Sequence, residues 1–288
     1  MQEVDLKSSR QYKDTLFRTL FGDEKRFLEL YNAVADDNFP DDTVVTPCPT
    51  NSLLARFNDL AACIGSQLVV FFEHQSSPSK NMALRLLPYA VDVLYSHIVD
   101  KDTLYGNEQV PIPAPKFFVL YNGEQKLTEH TVKLSDSFVK KDYSPSLELT
   151  AKIIDINFES KDSVFLRSSS LKGYSYLIAE IRKNLRTGMN RDVAIVTAIK
   201  ACISQDVLQT FLKENFMEVT KMLNYEYDAE AEKKVLKQEG RKEGIQEGIQ
   251  EGIQEGFDIL ANLVKAGMPF DVALAEAKKS TQSINPPQ

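Results

Sequence analysis

Residues 68–76 read LVVFFEHQS, an apolar run that passes directly into Glu73, His74 and Gln75. Side chains alternate between the two faces of a β-strand, so Glu73 and Gln75 point to one face and His74 to the other. Such a strand either reaches the surface at this point or delivers a carboxylate and an amide into a site. Carboxylate and amide oxygens suit a hard divalent cation such as Mg²⁺ or Mn²⁺.

The residues before this strand supply a partner for it. The run NSLLARFNDLAA at 51–62, followed by CIGS, predicts a β-hairpin with a turn that contains glycine. Asp59 lies between apolar neighbours, where a carboxylate is costly unless it is solvated, hydrogen-bonded or bound to a cation. An odd-length turn centred on Gly65 brings Asp59 to the face of Glu73, whereas a two-residue turn of Gly65 and Ser66 sends it to the opposite face. The metal-site hypothesis therefore requires an odd-length loop or a bulge.

The remaining pattern predicts a mixed α/β fold followed by a helical C-terminal region. Two short helices are expected between residues 11 and 35, and a helix over 82–99 contains Pro88, which predicts a kink or a late helix start. Further strands are expected at 116–123 and 147–159, and helices from about 170 to 236.

A four-residue repeat, EGRKEGIQEGIQEGIQEG, occupies residues 239–256. Its glycines form a slowly drifting stripe on a helix, and each one costs roughly 1 kcal/mol relative to alanine. The repeat is interpreted either as a solvated, partly frayed linker helix or as a self-association helix. The second reading predicts a homo-oligomer formed through the C-terminal helices.

Composition narrows the functional class. The chain has 288 residues, 43% of them hydrophobic, and a formal net charge of −7, which favours a globular protein and argues against a general nucleic-acid coat. The absence of a long apolar run and of an N-terminal apolar segment predicts no membrane span, no secretory signal and a cytoplasmic location. Three cysteines without CxxC spacing are expected to be reduced thiols, and the presence of only three histidines argues against a zinc site.

Several blocks together resemble one family. NDLAA, then LVVFFEHQSSPSKNMALRLLPY and PIPAPKFFVLYNGEQ, with LELTAKIIDIN, the helical segment and the EG repeat, are similar to the Rpn family of recombination-promoting nucleases, also called putative transposases. The resemblance covers nearly the whole chain and implies a PD-(D/E)XK restriction-endonuclease-like core. We expect that core at residues 1–165, a helical region at 166–238, and a Gly/Glu-repeat helix and tail at 239–288.

The resemblance implies roles for individual residues. Asp59 and Glu73 would be the metal-binding carboxylates for Mg²⁺ or Mn²⁺, and Gln75 stands where many relatives have lysine. A glutamine can orient a water or a phosphate but supplies no charge. Asp14 would be an auxiliary acid or an exposed residue on the first helical turn.

Arg85 and Tyr89 are four residues apart on the following helix and share a face. Both are candidates to meet a DNA phosphate, and Arg85 is equally a candidate to brace Glu73 or Asp59.

A basic segment provides a candidate DNA-binding surface in this acidic chain. Residues 161–200 carry eight lysines and arginines against three acids, and Arg182, Lys183 and Arg186 are the expected DNA contacts. A solvated helix face is the alternative. No helix-turn-helix, zinc-finger or RNA-binding signature is present, so base-specific readout is not expected.

These observations favour a divalent-metal-dependent DNA endonuclease that hydrolyses phosphodiester bonds with little sequence preference and promotes recombination. The alternative is a catalytically weak, oligomerising DNA-binding or partner-binding protein related to transposases. A transposition accessory is a third reading, although the sequence shows no separate RNase H-like core.

Overall fold

A mixed sheet of six strands organises the residues that the structure, a computed structural model, describes: 16–48, 60–140, 144–160 and 164–284. The strands are β1 (Val45–Pro47), β2 (Leu60–Ile64), β3 (Leu68–Gln75), β4 (Ala114–Tyr121), β5 (Thr131–Lys133) and β6 (Thr150–Asp155). Their order in the sheet is β1-β2-β3-β4-β6-β5. The neighbours β3, β4 and β6 run parallel, and the other pairs are antiparallel. The carboxyl ends of three adjacent strands therefore meet at one edge of the sheet.

Helices precede, connect and follow the strands. They are α1 (Leu16–Phe21), α2 (Glu24–Ala35), α3 (Met82–Ser96), α4 (Val164–Arg167), α5 (Ser169–Arg186), α6 (Arg191–Ser204), α7 (Gln209–Glu214), α8 (Phe216–Lys265) and α9 (Phe270–Ile284), with short 3-10 turns at Lys101–Tyr105 and Leu134–Ser137. The predicted pair of short N-terminal helices is confirmed where the chain is described. Asp23 ends the break between them, because its side chain accepts a hydrogen bond from the Arg26 amide and caps α2.

The hairpin loop between β2 and β3 is centred one residue after Gly65, the centre considered in the sequence analysis. Leu60 pairs with Phe72 and Ile64 with Leu68, so the loop is Gly65, Ser66 and Gln67 and its centre is Ser66. Gly65 has φ +55° and is the first residue of the loop. Its amide donates a hydrogen bond at 2.8 Å to the carbonyl of Val44, the residue directly before β1. The centre at Gly65 was wrong, but the odd length of the loop is confirmed.

Both faces of β3 are covered, which explains its nearly continuous apolar run. On one face Phe71 stacks on Phe117 at 4.9 Å and meets the edge of Tyr89 of α3 at 5.3 Å. On the other face Phe72 meets Phe27 of α2 at 5.1 Å. The alternation predicted for this strand is therefore observed in its packing.

The predicted helix at 82–99 is present as α3, which begins at Met82 and contains Pro88. The predicted strands around residues 116–123 and 147–159 correspond to β4 and β6, and the predicted helical segment after residue 170 corresponds to α5, α6, α7 and the start of α8.

The chain divides into two compact units, Met1–Tyr225 and Glu226–Gln288. The domain boundaries expected at residues 165 and 238 stay predictions. The glycine repeat lies within α8, and a Cβ atom added at Gly240, Gly244, Gly248 or Gly252 would meet no atom within 4 Å.

The three cysteines, Cys48, Cys63 and Cys202, are free thiols and are buried. Among the residues that can be described, none of the helices combines the length and apolarity needed to cross a bilayer.

His74 is held on the face of β3 opposite to Glu73. Its ring stacks on Phe17 at 4.9 Å, and its Nε2 lies 3.0 Å from the Tyr174 hydroxyl. Burial and, to a smaller extent, the positive charge of Arg182 together lower the pKa of His74 from 6.5 to about 4. The ring is therefore neutral in the folded protein at neutral pH.

This lowered pKa predicts a pH-dependent stability. Between pH 6.5 and 4 the unfolded chain binds a proton on His74 that the folded chain does not. The stability that the fold gains from keeping this ring neutral is therefore complete above pH 6.5 and is lost as the pH falls toward 4. Its full size is on the order of 3 kcal/mol. In His74→Gln, urea unfolding in a chelating buffer should show a shallower decline in unfolding free energy over this range. His130→Gln, which removes an exposed histidine, should keep the wild-type decline; equal declines in all three proteins would contradict the assignment.

Candidate functional site

Glu73 is a buried carboxylate at the carboxyl end of β3. The residue is 5% exposed, and its Oε1 lies 2.8 Å from Nη2 of Arg85, which projects from α3. A carboxylate removed from water needs a counter-charge and hydrogen-bond donors. The contact corresponds to the bracing role considered for Arg85, and a role of Arg85 at a DNA phosphate stays a prediction.

Gln75 lies on the same face of the sheet as Glu73, as the alternation requires. In the parallel register Gln75 pairs with Tyr121 of β4, and Tyr121 pairs with Asp155 of β6. Three polar side chains from adjacent strand ends therefore share one face. Asp155 was not singled out from the sequence, although an acidic residue directly after Ile153 and Ile154 is a signal of the same kind as Glu73.

Tyr89 is placed one helical turn after Arg85, as their spacing predicts. Its residue is 1% exposed, and its ring packs edge-on against Phe71 at a centroid distance of 5.3 Å. The contact makes Tyr89 part of the core beneath Glu73, and its auxiliary role at the site stays a prediction.

The strand ends approach each other so closely that one position requires glycine. A Cβ on Gly123 would lie 2.1 Å from the Ser76 carbonyl oxygen and 2.4 Å from the Tyr121 hydroxyl. That hydroxyl donates to the Gln125 carbonyl at 2.8 Å, and burial raises the pKa of Tyr121. The turn after β4 is thus closed over the end of β3.

Arg182 of α5 fastens the ends of β4 and β6. Its guanidinium donates to the Asn157 Oδ1 at 2.9 Å and to the Asn122 carbonyl. The side-chain amide of Asn157 in turn donates to the Gly123 carbonyl at 2.9 Å and to Asp155 Oδ1 at 2.8 Å. Because the Asn122 amide donates to the Gln75 carbonyl at 2.9 Å, this network reaches β3.

The other two predicted DNA contacts lie on the exposed side of α5. Lys183 pairs with Glu180 at 3.1 Å and Arg186 with Glu124 at 3.0 Å, and their side chains are 68% and 69% exposed. Exposed pairs of this kind contribute little to stability and rearrange at low cost. Arg182 differs from them because it is committed to the network at the strand ends, and a DNA-binding role for all three residues stays a prediction.

Asp14 and Asp59 lie outside the described residues, so their predicted roles stay predictions. Within the described ranges, no group of three or more histidine, cysteine, aspartate or glutamate side chains is placed to hold a metal ion. The oxygen donors present at the strand end, the Glu73 carboxylate and the Gln75 amide, are of the type that Mg²⁺ and Mn²⁺ accept.

The sheet and the helices that follow it define an α/β protein with a helical C-terminal region. Residues 64–221 match the family described as "Putative transposase, YhgA-like". This match covers more than half of the chain, from the end of β2 into α8, and the chain belongs to that family. The resemblance drawn from the sequence is thereby confirmed. Neither curated proteins nor solved structures provide a match.

The Arg85–Glu73 pair predicts a thermodynamic coupling. Arg85→Met should destabilise the fold by roughly 1–3 kcal/mol, because it leaves a buried carboxylate without its cation. Glu73→Gln combined with Arg85→Met should recover part of that loss, which a double-mutant cycle of urea unfolding free energies measures. Arg186→Met, which removes an exposed pair, is the matched control and should change stability little. Additive effects of the Glu73 and Arg85 substitutions would show that the pair has no coupling.

Proposed function

We propose that this protein is a divalent-metal-dependent DNA endonuclease with a PD-(D/E)XK core. The observation that carries the proposal is the buried Glu73 carboxylate, braced by Arg85 at the end of a central strand, with Gln75 two residues further on the same face. A buried acid at the carboxyl end of a parallel strand is a costly arrangement that a structural role alone does not require. Membership of a transposase-like family supports a function in DNA chemistry.

The hairpin register supports the second carboxylate. Leu60 pairs with Phe72 across a three-residue loop, which is the odd length that the metal-site hypothesis requires of the hairpin. Residues directly opposite in an antiparallel pair share a face. The proposal therefore assigns Asp59 as the partner of Glu73.

The assigned donors are oxygen atoms, which fit a hard divalent ion better than zinc or copper. When bound, such an ion lowers the pKa of a coordinated water and neutralises charge on a phosphate under in-line attack.

Within this assignment the chain's own side chains position the reacting groups. Arg85 holds the Glu73 carboxylate in one orientation, with a charge-assisted hydrogen bond of 2.8 Å. The Gln75 amide can donate to a phosphate oxygen or accept from a water, but it brings no positive charge. Catalysis by this chain should accordingly be weaker than in a relative with lysine at this position.

The same sheet edge supports a DNA path. Arg182 reaches the turn after β4, and Lys183 and Arg186 follow it on the exposed side of α5. Contacts to phosphates would give affinity that depends on salt and little on sequence. Low sequence preference is therefore part of the proposal.

Plasmid nicking in Mg²⁺ or Mn²⁺ tests the proposed site. Glu73→Gln and Asp59→Asn should each lower the nicking rate by a factor of about 100 or more, because each removes a charged ligand of the cation. Glu129→Gln, which removes an exposed carboxylate, should retain the wild-type rate. Cleavage that persists in both site variants would exclude the assignment.

Gln75→Lys tests whether glutamine at this position, where many relatives have lysine, lowers the rate of cleavage. A lysine here adds a positive charge near the phosphate, so nicking should rise several-fold under the same conditions while the metal requirement remains. Gln125→Lys adds the same charge in the loop after β4 and should leave the rate unchanged. An equal rise in both variants would indicate improved DNA binding in place of catalysis.

An oligomerising binding protein is the second candidate function. It is favoured by the glycines of α8, around which the single chain leaves open space on the side where a Cβ would lie. A helix retains such glycines at a cost of roughly 1 kcal/mol each, which close packing against another helix would offset.

Gly244→Ala combined with Gly248→Ala tests this second candidate. Circular dichroism should show higher helix content, because each alanine favours the helix by roughly 1 kcal/mol. If the glycine stripe packs between copies, sedimentation velocity should show a smaller assembly than wild type. Glu255→Ala introduces an alanine at an exposed position of the same helix and should leave the assembly unchanged. An unchanged sedimentation coefficient in the glycine variants would remove the stripe from any assembly role.

A further inference from the structure

A second concave site lies among the helices that cover the face of the sheet opposite to Glu73. Its volume is about 600 Å³, and its walls come from α2, the first half of α5, the turn at residues 205–208 and the start of α7. The volume is within the range of small-molecule binding sites, about 300–1,000 Å³. It is separate from the strand ends that carry Gln75 and Tyr121.

Two cations line this cavity without an acidic partner among the described residues: Arg26 and Lys172. The Arg26 guanidinium lies over the ring of Phe211, 5.2 Å from its centroid. By contrast, Arg167 of α4 and Arg186 at the end of α5 are paired with carboxylates. Asp206 is the acidic side chain of the lining and is exposed. The cavity therefore favours an anion.

The start of α5 does not supply the anion site. Ser168 caps the helix by accepting from the Leu171 amide at 3.0 Å. The Ser170 amide and hydroxyl donate to the two carboxylate oxygens of Glu29 at 3.1 and 2.8 Å. Since these donors are occupied within the protein, the positive charge offered to a ligand is that of the Arg26 and Lys172 side chains.

Aromatic rings form another part of the wall. Phe158 and Tyr176 meet edge to face with centroids 5.1 Å apart, and Phe158 remains 37% exposed. The Tyr176 hydroxyl donates to Gln205 Oε1 at 2.9 Å, which fixes the ring. Flat aromatic surfaces beside cations suit a ligand that combines a planar ring system with an anionic group.

The turn that closes the cavity is held in an unusual backbone conformation. Asp206 and Leu208 have φ values of 60° and 49°, a left-handed region that side chains other than glycine rarely adopt. Leu208 sits directly on α5, because a Cβ at Gly173 would lie 2.7 Å from its Cγ. Packing thus keeps this wall in place before any ligand arrives, as expected of strain retained at a binding site.

We infer that this cavity binds a nucleoside phosphate, with the phosphate paired to Arg26 and Lys172 and the base against Phe158 and Tyr176. The same chemistry is available from a free nucleotide and from an unpaired nucleotide of single-stranded DNA. The inference does not depend on the endonuclease proposal, since it uses neither Glu73 nor Gln75.

Calorimetric titration of the full-length protein with dAMP, in a chelating buffer that prevents cleavage, tests this inference. We expect dAMP to bind saturably. Deoxyadenosine and inorganic phosphate should each bind at least about tenfold more weakly than dAMP, because each lacks either the phosphate or the base. Arg26→Gln and Lys172→Gln should each weaken dAMP binding by about tenfold. Phe158→Ala, which alters an exposed ring, should weaken dAMP but not phosphate.

Two controls separate this cavity from other sites. Lys213→Gln removes an exposed cation outside the lining and should leave dAMP affinity unchanged. Glu73→Gln should also leave it unchanged, so loss of nicking and loss of nucleotide binding are distinguishable. A ten-residue oligo-dA that binds more tightly than dAMP, with the same dependence on Arg26, would assign the ligand to a DNA strand. The inference is overturned if neither dAMP nor the oligonucleotide saturates, or if binding is insensitive to the Arg26 and Lys172 substitutions.

Discussion

The ion pair between Arg85 and Glu73 connects the sheet to the helix that covers it. A glutamate residue that is 5% exposed on a central strand would be strongly destabilising without a cation at hydrogen-bond distance from its carboxylate. Arg85 satisfies that requirement from α3, at 2.8 Å. The face of β3 that carries Glu73 is thus fixed by two kinds of contact, the aromatic packing of Phe71 against Tyr89 and the ion pair beyond it.

The parallel arrangement of β3, β4 and β6 determines where chemistry is possible. Ligands of open α/β sheets bind in the crevice outside the carboxyl ends of the strands. Here that edge collects Gln75, Tyr121 and Asp155 in register. The tight turn at Gly123 and the Arg182 network hold the edge closed around the strand ends.

Local patterns in the sequence were sufficient to predict the central elements. Alternation in LVVFFEHQ placed Glu73 and His74 on opposite faces, because a two-residue period depends only on the strand itself. The i, i+4 relation of Arg85 and Tyr89 followed equally from helix geometry. The centre of the turn differs from the prediction by one residue, because Gly65 begins the loop while its amide stays bonded to Val44. Val44 directly precedes β1, a strand that the sequence did not reveal.

Long-range contacts account for the other omissions. The strands β1 and β5 have three residues each, too few for a period to be recognised, and they exist because neighbouring strands offer them hydrogen bonds. Arg182 binds Asn157 and Asn122, which precede it in the chain by 25 and 60 positions respectively. No spacing rule predicts such a pair, since its energy arises only after α5 has packed on the sheet. Asp155 carried a local signal, but its partners in register became evident only from the strand order.

The charge distribution around Glu73 explains how a site of this kind can tolerate glutamine at position 75. A lysine there would place a second cation on the face where Arg85 already neutralises Glu73, and each further buried charge adds a desolvation cost. With Gln75, the charge of the buried Glu73 carboxylate is balanced by the Arg85 guanidinium. Under the proposed function, Glu73 would be available to a cation if Arg85, whose side chain is 36% exposed, turned toward solvent or toward a phosphate. Under the proposed function, glutamine at position 75 would therefore favour stability of the fold at the expense of positive charge near a phosphate.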